Sequence, residues 1–537
     1  MKLWELIRGK SQKASSRKAP ARSQARMLRD TKSRVLESRS APLIDSRDEV
    51  RRTWTRAAAF ALDFIQNSGS LKGACDQVLA DTVGVELVLH PQPDLTGLGY
   101  TEEEKIALVA EIKSRWKRYA WNPSECDMRG KFSVPQLVDI ALRWYIAYGE
   151  VTGLISYMPR EQRKRYGITT GTKVCLVPPN KLVQDTSKLE GLFQGIYHDK
   201  NGRPVGYLFE EDHAGITQKV KYPAKDDKGR HVAIHIFEPF DATDVRGISV
   251  LTSAFRKHAQ HEVLGDATLQ TAILQTVFAA VLTSSSPSAD AFEALEVLAE
   301  GMDGDDAQAF KTEFVGFLQS KMDKARESNL NIDGSPTVAH LGLDEDLQFR
   351  TSSAPGNNYL PFSASLMREV ARAIGITYGS YSMDYSAATY SSVRMEMASI
   401  WPVVMRRRER IAGPFLQMIY ENWLDEEIGE GRLPFKGGYN AFLAHREKIT
   451  WALWQGPAAP NADDYKSERA VTERLENGTS SLVVECALKG VDPDELFEQR
   501  LKDHKRYQDA GMPSPYTPRG QAPLPVDSQP AKQGTNA

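Results

Sequence analysis

A chain of 537 residues, 41% apolar and 26% charged, buries a sizeable core and, at about 100 to 200 residues per domain, holds two or more lobes. The composition is ordinary for a soluble globular protein. Cys75, Cys126, Cys175 and Cys486 stand singly, which excludes the paired spacing of a metal site or disulfide framework and fits a reducing cytoplasm. The net charge of -2 hides an asymmetry, because residues 1–39 carry twelve Lys or Arg against three Asp or Glu and leave the body acidic. Such an arm suits nucleic acid or an acidic partner, and equally a solvated tail. Lys2, Glu5, Arg8 and Lys10 leave no room for the apolar core of a secretory signal.

In chain order, residues 1–45 read as a basic disordered arm. A helical pattern from Arg47 runs through Trp54, Ala57, Phe60, Ala61 and Phe64 and breaks at residues 67–70. A helix from Leu71 to about Asp81 leads into residues 83–90, whose β-branched alternation predicts a strand. Thr101 with three following glutamates starts a helix to about Tyr119, since the hydroxyl caps it and carboxylates suit its positive end. Pro135 to Tyr148 gives the next helix. From Val151 to Phe240 the period switches to two, with turns at 178–180 and 199–202. Helices follow from Val250 to about Leu282 and from Ala289 to about Arg326. The charge-free run Ala267 to Ala289 contains Gln270, Gln275 and Pro287, which makes it a poor membrane span and points to a buried or intersubunit helix. Short extended stretches lie near 336–341 and 347–350.

A helix from near Tyr359 carries Met367, Val370, Ala371 and Ile374 three and four apart and ends at Gly375. Residues 376–390 then place four tyrosines among hydroxyls, so no long regular element is favoured, and composition alone reads them as a surface turn. Ser391 and Ser392 start a helix that continues to about Gly413, with a kink at Pro402. Further helices fill 438–508, and six prolines from Met512 onward mark a disordered tail.

The chain shows no convincing active site. His258 and His261 lie three apart without a third ligand, and neither HEXXH nor a phosphate-cradling Gly-rich loop ending in Lys-Ser or Lys-Thr occurs. Asp344, Glu345 and Asp346 form a carboxylate cluster in a turn, which reads as solvated. The basic run 406–410 is either a phosphate contact or a helix surface. No serine sits in a nucleophile elbow.

The sequence Gly375-Ile-Thr-Tyr378 followed by Asp384-Tyr-Ser-Ala-Ala-Thr-Tyr-Ser-Ser-Val-Arg394 resembles the signature of the lambda-like family of phage portal proteins, with Thr389 where that family often has Asn. The run Asp241 to Leu251, containing Arg246, Gly247 and Ser249, resembles a second box of that family, with Thr243 and Asp244 where Gly-Gln is usual. Trp121, Cys126, Asp127, Gly130, Phe132, Arg143, Gly149 and Glu150 resemble a third, and residues 195–199 with 202–207 a fourth. The boxes keep their order over about residues 45 to 505.

The resemblance implies a mainly α fold with a β-rich insertion (α+β), made of wing, stem, clip and crown. It implies assembly into a ring, usually of twelve subunits, around a channel for double-stranded DNA. On that pattern the wing takes 46–300, the first stem helix 305–326, the clip 327–356, the second stem helix 358–375 and the tunnel loop 376–391. Wing and crown helices take 392–508, with the tail at 509–537. Tyr378, Tyr381, Asp384, Tyr385 and Tyr390 are expected to line the channel, Asp384 either centring the duplex by repulsion or capping its own turn. Arg246, Gly247, Ser249, Gly375, Ser391, Ser392 and Arg394 are expected to be structural. Implied partners are further copies of the chain, DNA, the terminase large subunit, major capsid protein, scaffold and a head-tail adaptor. No cofactor, metal, membrane or catalysis is expected. A head maturation nuclease or protease, or a monomeric nucleic-acid-binding adaptor, is the alternative.

Overall fold

Helix α1 (Ser46–Asn67) turns Val50, Trp54, Ala57, Ala58 and Ala61 to one side, and α2 (Gly69–Thr82) buries Leu71, Ala74, Cys75, Val78 and Leu79 against it. The computed structural model describes residues 43–213, 215–284, 356, 358–460, 464–491 and 493–516. After α2 the expected strand from Val83 is cut to β1 (Val88–Pro91), because Val83 ends the helix and the pairing partner, β9 (Ala452–Gln455), is only four residues long. Helix α3 (Glu102–Ala120) starts on the expected cap: Thr101 accepts from the Glu104 N–H while the Glu104 carboxylate accepts from the Thr101 N–H. A single turn, α4 (Pro123–Cys126), precedes α5 (Val134–Tyr148), capped by Ser133 and Gln136.

The insertion holds two antiparallel sheets. Strand β2 (Glu150–Tyr157) is central between β3 (Thr172–Leu176) and β8 (Ala233–Phe237). Between β2 and β3 the period-two reading fails, since the polar run Arg160–Tyr166 does not alternate and forms helix α6. The second sheet runs β4 (Leu192–Phe193), β5 (Ile196–His198), β6 (Pro204–His213) and β7 (Ile216–Pro223) in sequence order. Its core of Leu154, Leu182, Ile196, Tyr207, Phe209, Ala233 and Val245 is separate from the main one.

Helix α7 (Phe255–Ser284) packs against α8 (Tyr359–Ile374), so segments about a hundred residues apart are neighbours. The expected first stem helix, the clip apart from Gly356, the acidic cluster 344–346, the basic arm up to residue 42 and most of the Pro-rich tail lie outside the described residues. Short helix α9 (Tyr378–Ser382) leads to α10 (Tyr390–Arg407), which contains Pro402 and does not stop near Gly413. A π-helical turn, Arg408–Ala412, carries it directly into α11 (Gly413–Gly429). Helices α12 (Gly438–Ala444), α13 (Arg446–Ile449), α14 (Asp464–Glu476), α15 (Leu482–Leu488) and α16 (Pro493–Asp509) complete the chain. Strand β1 on β9 joins the N- and C-terminal thirds. Beneath it Trp116 meets Tyr420, Trp423 and Trp454 edge to face, with centroids 5.3–5.7 Å apart, at the middle of the main core. Among the described residues no helix is long and apolar enough to cross a membrane.

The basic run on α10 and the π turn is not a plain helix surface. Arg407 is buried and donates to the Ile374 carbonyl, capping the C-terminus of α8. Arg408 donates from Nε to Thr82 O at 2.9 Å and from its terminal nitrogen to Asp81 O and Pro457 O, capping α2. Each guanidinium supplies donors to carbonyls that a helix end leaves unpaired. Arg406 and Arg410 stay exposed and share Glu238 at 2.9 Å.

Candidate functional site

Glu150 opens β2 immediately after Gly149 ends α5 in the left-handed region, φ 88°. Ninety-six residues later Arg246 donates to both Glu150 oxygens, from Nε at 2.7 and 2.9 Å, with both side chains fully buried. Arg246 also donates to Pro179 O at 2.9 Å and, more weakly, to Leu182 O and Gln194 O, so one guanidinium ties the insertion loops to the helical lobe. The Trp54 ring covers it at 4.5 Å. His235 meets the Glu150 Oε2 at 3.0 Å, and the Gly247 N–H donates to the same oxygen. Burial alone would raise the Glu150 carboxyl; Arg246 and His235 outweigh it and hold the group below the usual carboxylate range.

Glycine is required at 149 and 247 because the backbones touch. A Cβ on Gly149 would lie 2.1 Å from the Ile248 carbonyl carbon, and one on Gly247 would lie 2.1 Å from Gly149 O. Ser249 closes the junction, donating to Ile146 O at 2.8 Å and accepting from the Leu251 N–H. The Arg143-to-Glu150 box and the Arg246-to-Ser249 box are therefore the two halves of one clasp. Asp127 of the third box does similar local service, accepting from the Lys131 and Phe132 N–H groups around the Gly130 turn.

The tyrosine loop is more ordered than its composition suggests. Gly375 ends α8 at φ 77°, where a Cβ would lie 2.9 Å from Val403 Cγ1. Thr377 then caps α9, accepting from the Ser380 N–H at 3.0 Å. Tyr381, expected on the channel wall, instead turns inward. It is only 6% exposed and its hydroxyl lies 3.2 Å from Ser70 Oγ on α2. A one-turn helix sets an inner face, and the aromatic ring on that face joins the core. Tyr378 is half-buried under Arg368 at 4.6 Å. Asp384 Oδ1 accepts from the Ser386 N–H and hydroxyl at 3.0 and 2.6 Å, and these bonds lower its pKa. The local turn contact is thus made, and the carboxylate is still exposed.

Tyr385 and Tyr390 face solvent, 51% and 38% exposed, beside Met383 and Met395. Tyr385 folds back over Gly379, where a Cβ would lie 2.8 Å from its ring. Lys466 of α14 lies 5.4 Å over the Tyr390 ring. Helix α10 starts one residue before the expected Ser391: Thr389 is the cap, in a reciprocal pair with Ser392, while Ser391 and Arg394 are exposed. Threonine in place of asparagine keeps a capping side chain.

A buried charge cluster was not legible in the sequence. Glu426 of α11 accepts from the Gly171 and Thr172 N–H groups at 2.6 Å and from Thr172 Oγ1 at 2.7 Å, and pairs with Arg163 and Arg432. Hydrogen bonds from Arg163, opposed by some burial, bring neighbouring Glu430 down to about 2. The signal available was the run Asp425-Glu426-Glu427 directly after the apolar residues Trp423 and Leu424 and before Ile428, which sets acidic side chains on every face of the helix, the buried one included. His258 is buried and depressed by burial, while His261 lies 2.9 Å from Ser363 Oγ. Among the described residues no group of three or more His, Cys, Asp or Glu could hold a metal ion. Burial pushes the Cys75 and Cys126 thiols up to about 12, far from a reactive thiolate at neutral pH.

These side chains lock lobes together and leave a polar aromatic loop at the surface, the features of a structural scaffold. The model for the lambda family of phage portal proteins matches residues 32–408, and the chain belongs to that family. It is 25% identical to portal protein B of Escherichia phage lambda over 470 residues and to the portal protein of Escherichia phage N15 over 473, covering 86% of each chain. Among solved structures, the neck of the empty gene transfer agent particle shares 12% identity at a TM-score of 0.36, over 72% of this chain and 84% of that one. The neck of the native particle, computed with C12 symmetry, shares 12% at 0.33, over 83% and 94%. The protein is therefore a virion component with the portal role at a capsid vertex, and not an enzyme.

Proposed function

We propose that the chain forms a closed ring, with twelve copies the expected number, whose channel carries double-stranded DNA into and out of the head. The observation that supports a ring is the apolar surface on the α7–α8 pair. Val263 and Leu269 on α7 are 66% and 61% exposed, and Leu360 and Phe362 on α8 are 73% and 57% exposed, apolar side chains that contact between copies would cover. On this reading α7 and α8 form the stem walls and the segment between them the clip, which moves the first stem helix N-terminal to the expected 305–326. The basic arm meets an acidic partner or DNA during head assembly. Terminase large subunit, major capsid protein, scaffold and head-tail adaptor dock on the ring, which assembles in the host cytoplasm. Native mass spectrometry or negative-stain microscopy tests the assembly. Wild-type chain is expected to give rings with a central hole, and Val263→Asp with Leu269→Asp is expected to give soluble monomers. A wild-type chain that stays monomeric at all salt and protein concentrations overturns the proposal.

In this ring the exposed half of the loop, Met383 to Tyr390, faces the duplex. Tyrosine offers a flat uncharged face and one hydroxyl, so it touches DNA without the salt-dependent affinity that lysine or arginine adds at each phosphate. Tyr385→Lys and Tyr390→Lys are expected to slow packaging most at low salt, and the alanine variants to impair DNA retention in intact heads. Tyr381→Phe, by contrast, should leave DNA handling unchanged and cost about 1 kcal/mol of stability through the lost bond to Ser70. Normal packaging and retention in all variants at 385 and 390 would remove the loop from the channel.

A further inference from the structure

The chain turns back on itself after α16. Gly511, at φ 66°, lets its own N–H reach Gln508 O at 3.0 Å and the Met512 N–H reach Tyr507 O at 2.9 Å, which reverses the backbone. The returning residues then lie against the helix they have just left. Ser514 Oγ is 2.7 Å from His504 Nδ1, and Arg500 stacks over the Tyr516 ring at 4.9 Å. Ser514 is buried in this contact, and the described residues end at Tyr516.

Those two contacts give the returning chain a direction and a pace. From Ser514 to Tyr516 it moves from His504 back to Arg500, four residues or about 6 Å along the helix at 1.5 Å per residue. Two residues of polyproline II chain also advance about 6 Å, at 3.1 Å each. Prolines at 513, 515 and 518 favour that conformation, and those at 523 and 525 continue it. At the same pace Pro518 comes level with Leu496 and Phe497, one turn further on the face that carries Arg500 and His504.

The side chains along that path are apolar and open. Phe497 is 62% exposed, and just before α16 begins Val491 and Leu488 are 39% and 61% exposed. The segment that would reach them, residues 517–526, contains Pro523-Leu524-Pro525-Val526 and no acidic residue. We propose that residues 517–526 form a strap that continues antiparallel along α16, with Pro518 on Phe497 and the apolar residues after it on Val491 and Leu488. The strap rests on the contacts at Ser514 and Tyr516 and does not depend on ring assembly.

Paired cysteines in the full chain test the placement. Oxidation of Phe497→Cys with Pro518→Cys is expected to give a disulfide within one chain, since the strap brings these positions into bridging reach. Glu498→Cys with Pro518→Cys is the control. Glu498 lies on the side of α16 that lines the groove with α3, so this pair is expected to bridge at least about tenfold less. Equal bridging in the two pairs means that the segment holds no fixed place and overturns the proposal. A bridge between two chains overturns it as well, and assigns the face to the tail of a neighbouring copy. Hydrogen exchange gives a reading that leaves α16 unaltered. Leu524→Asp with Val526→Asp in the full chain is expected to speed exchange of the amides at 488–497 at least about threefold and to leave α3 unchanged. Unchanged exchange at 488–497 overturns the strap, and this comparison decides the matter should the cysteine variants misfold.

Discussion

Arg246→Ala is expected to lower the stability of the fold by about 3–5 kcal/mol, because it leaves the Glu150 carboxylate buried and unpaired. The loss exceeds that of one hydrogen bond, since the same guanidinium also satisfies Pro179 O, Leu182 O and Gln194 O. Arg406→Ala is the internal control: Arg406 is exposed and shares Glu238 with Arg410, so its removal is expected to cost about 1 kcal/mol or less. Urea unfolding of the three chains, followed by the shift in midpoint at constant slope, checks both numbers. A small effect at Arg246 would mean that water reaches the clasp.

The clasp also gives a pH signature with a definite sign. Glu150 has a folded pKa below its ordinary value, so the unfolded chain takes up its proton first as pH falls. The stabilisation from the pair is complete above the unfolded value of about 4.3, and is lost as pH drops through the folded value. In Glu150→Gln this acid-dependent part should vanish from the stability profile.

Gly149→Ala is the second large effect, expected at about 3 kcal/mol or more. The left-handed φ alone costs a non-glycine residue about 1–2 kcal/mol. Added to this is a collision with backbone atoms of Ile248 at 2.1–2.4 Å, which no rotamer change relieves. Gly130→Ala separates the two contributions. Gly130 has φ 64° with nothing within 4 Å of a Cβ, so it should lose only the backbone part. Comparable losses in both variants would show that α5 and the Ile248 loop can move apart, and that the close approach is not what fixes glycine at 149.

What the sequence determined by itself was local. The Thr101 cap of α3, the end of α8 at Gly375, and the switch from helical to alternating period near residue 150 are set by side chains within a turn or two of the backbone they govern. The order of the boxes sufficed to place the chain among portal proteins. What the tertiary structure decided is which distant groups meet. Sequence does not show that Gly149 and Gly247 abut, since their contact depends on the crossing of α5 and the segment after β8. It gave no means of knowing that Arg407 and Arg408 are buried, because each answers carbonyls at the ends of other helices, Ile374 for one and Asp81 with Thr82 for the other. Tyr381 and Tyr385 look alike as residues in a hydroxyl-rich loop. One is core and the other surface because a single turn of helix, α9, rotates the first toward Ser70 on α2 and leaves the second outside.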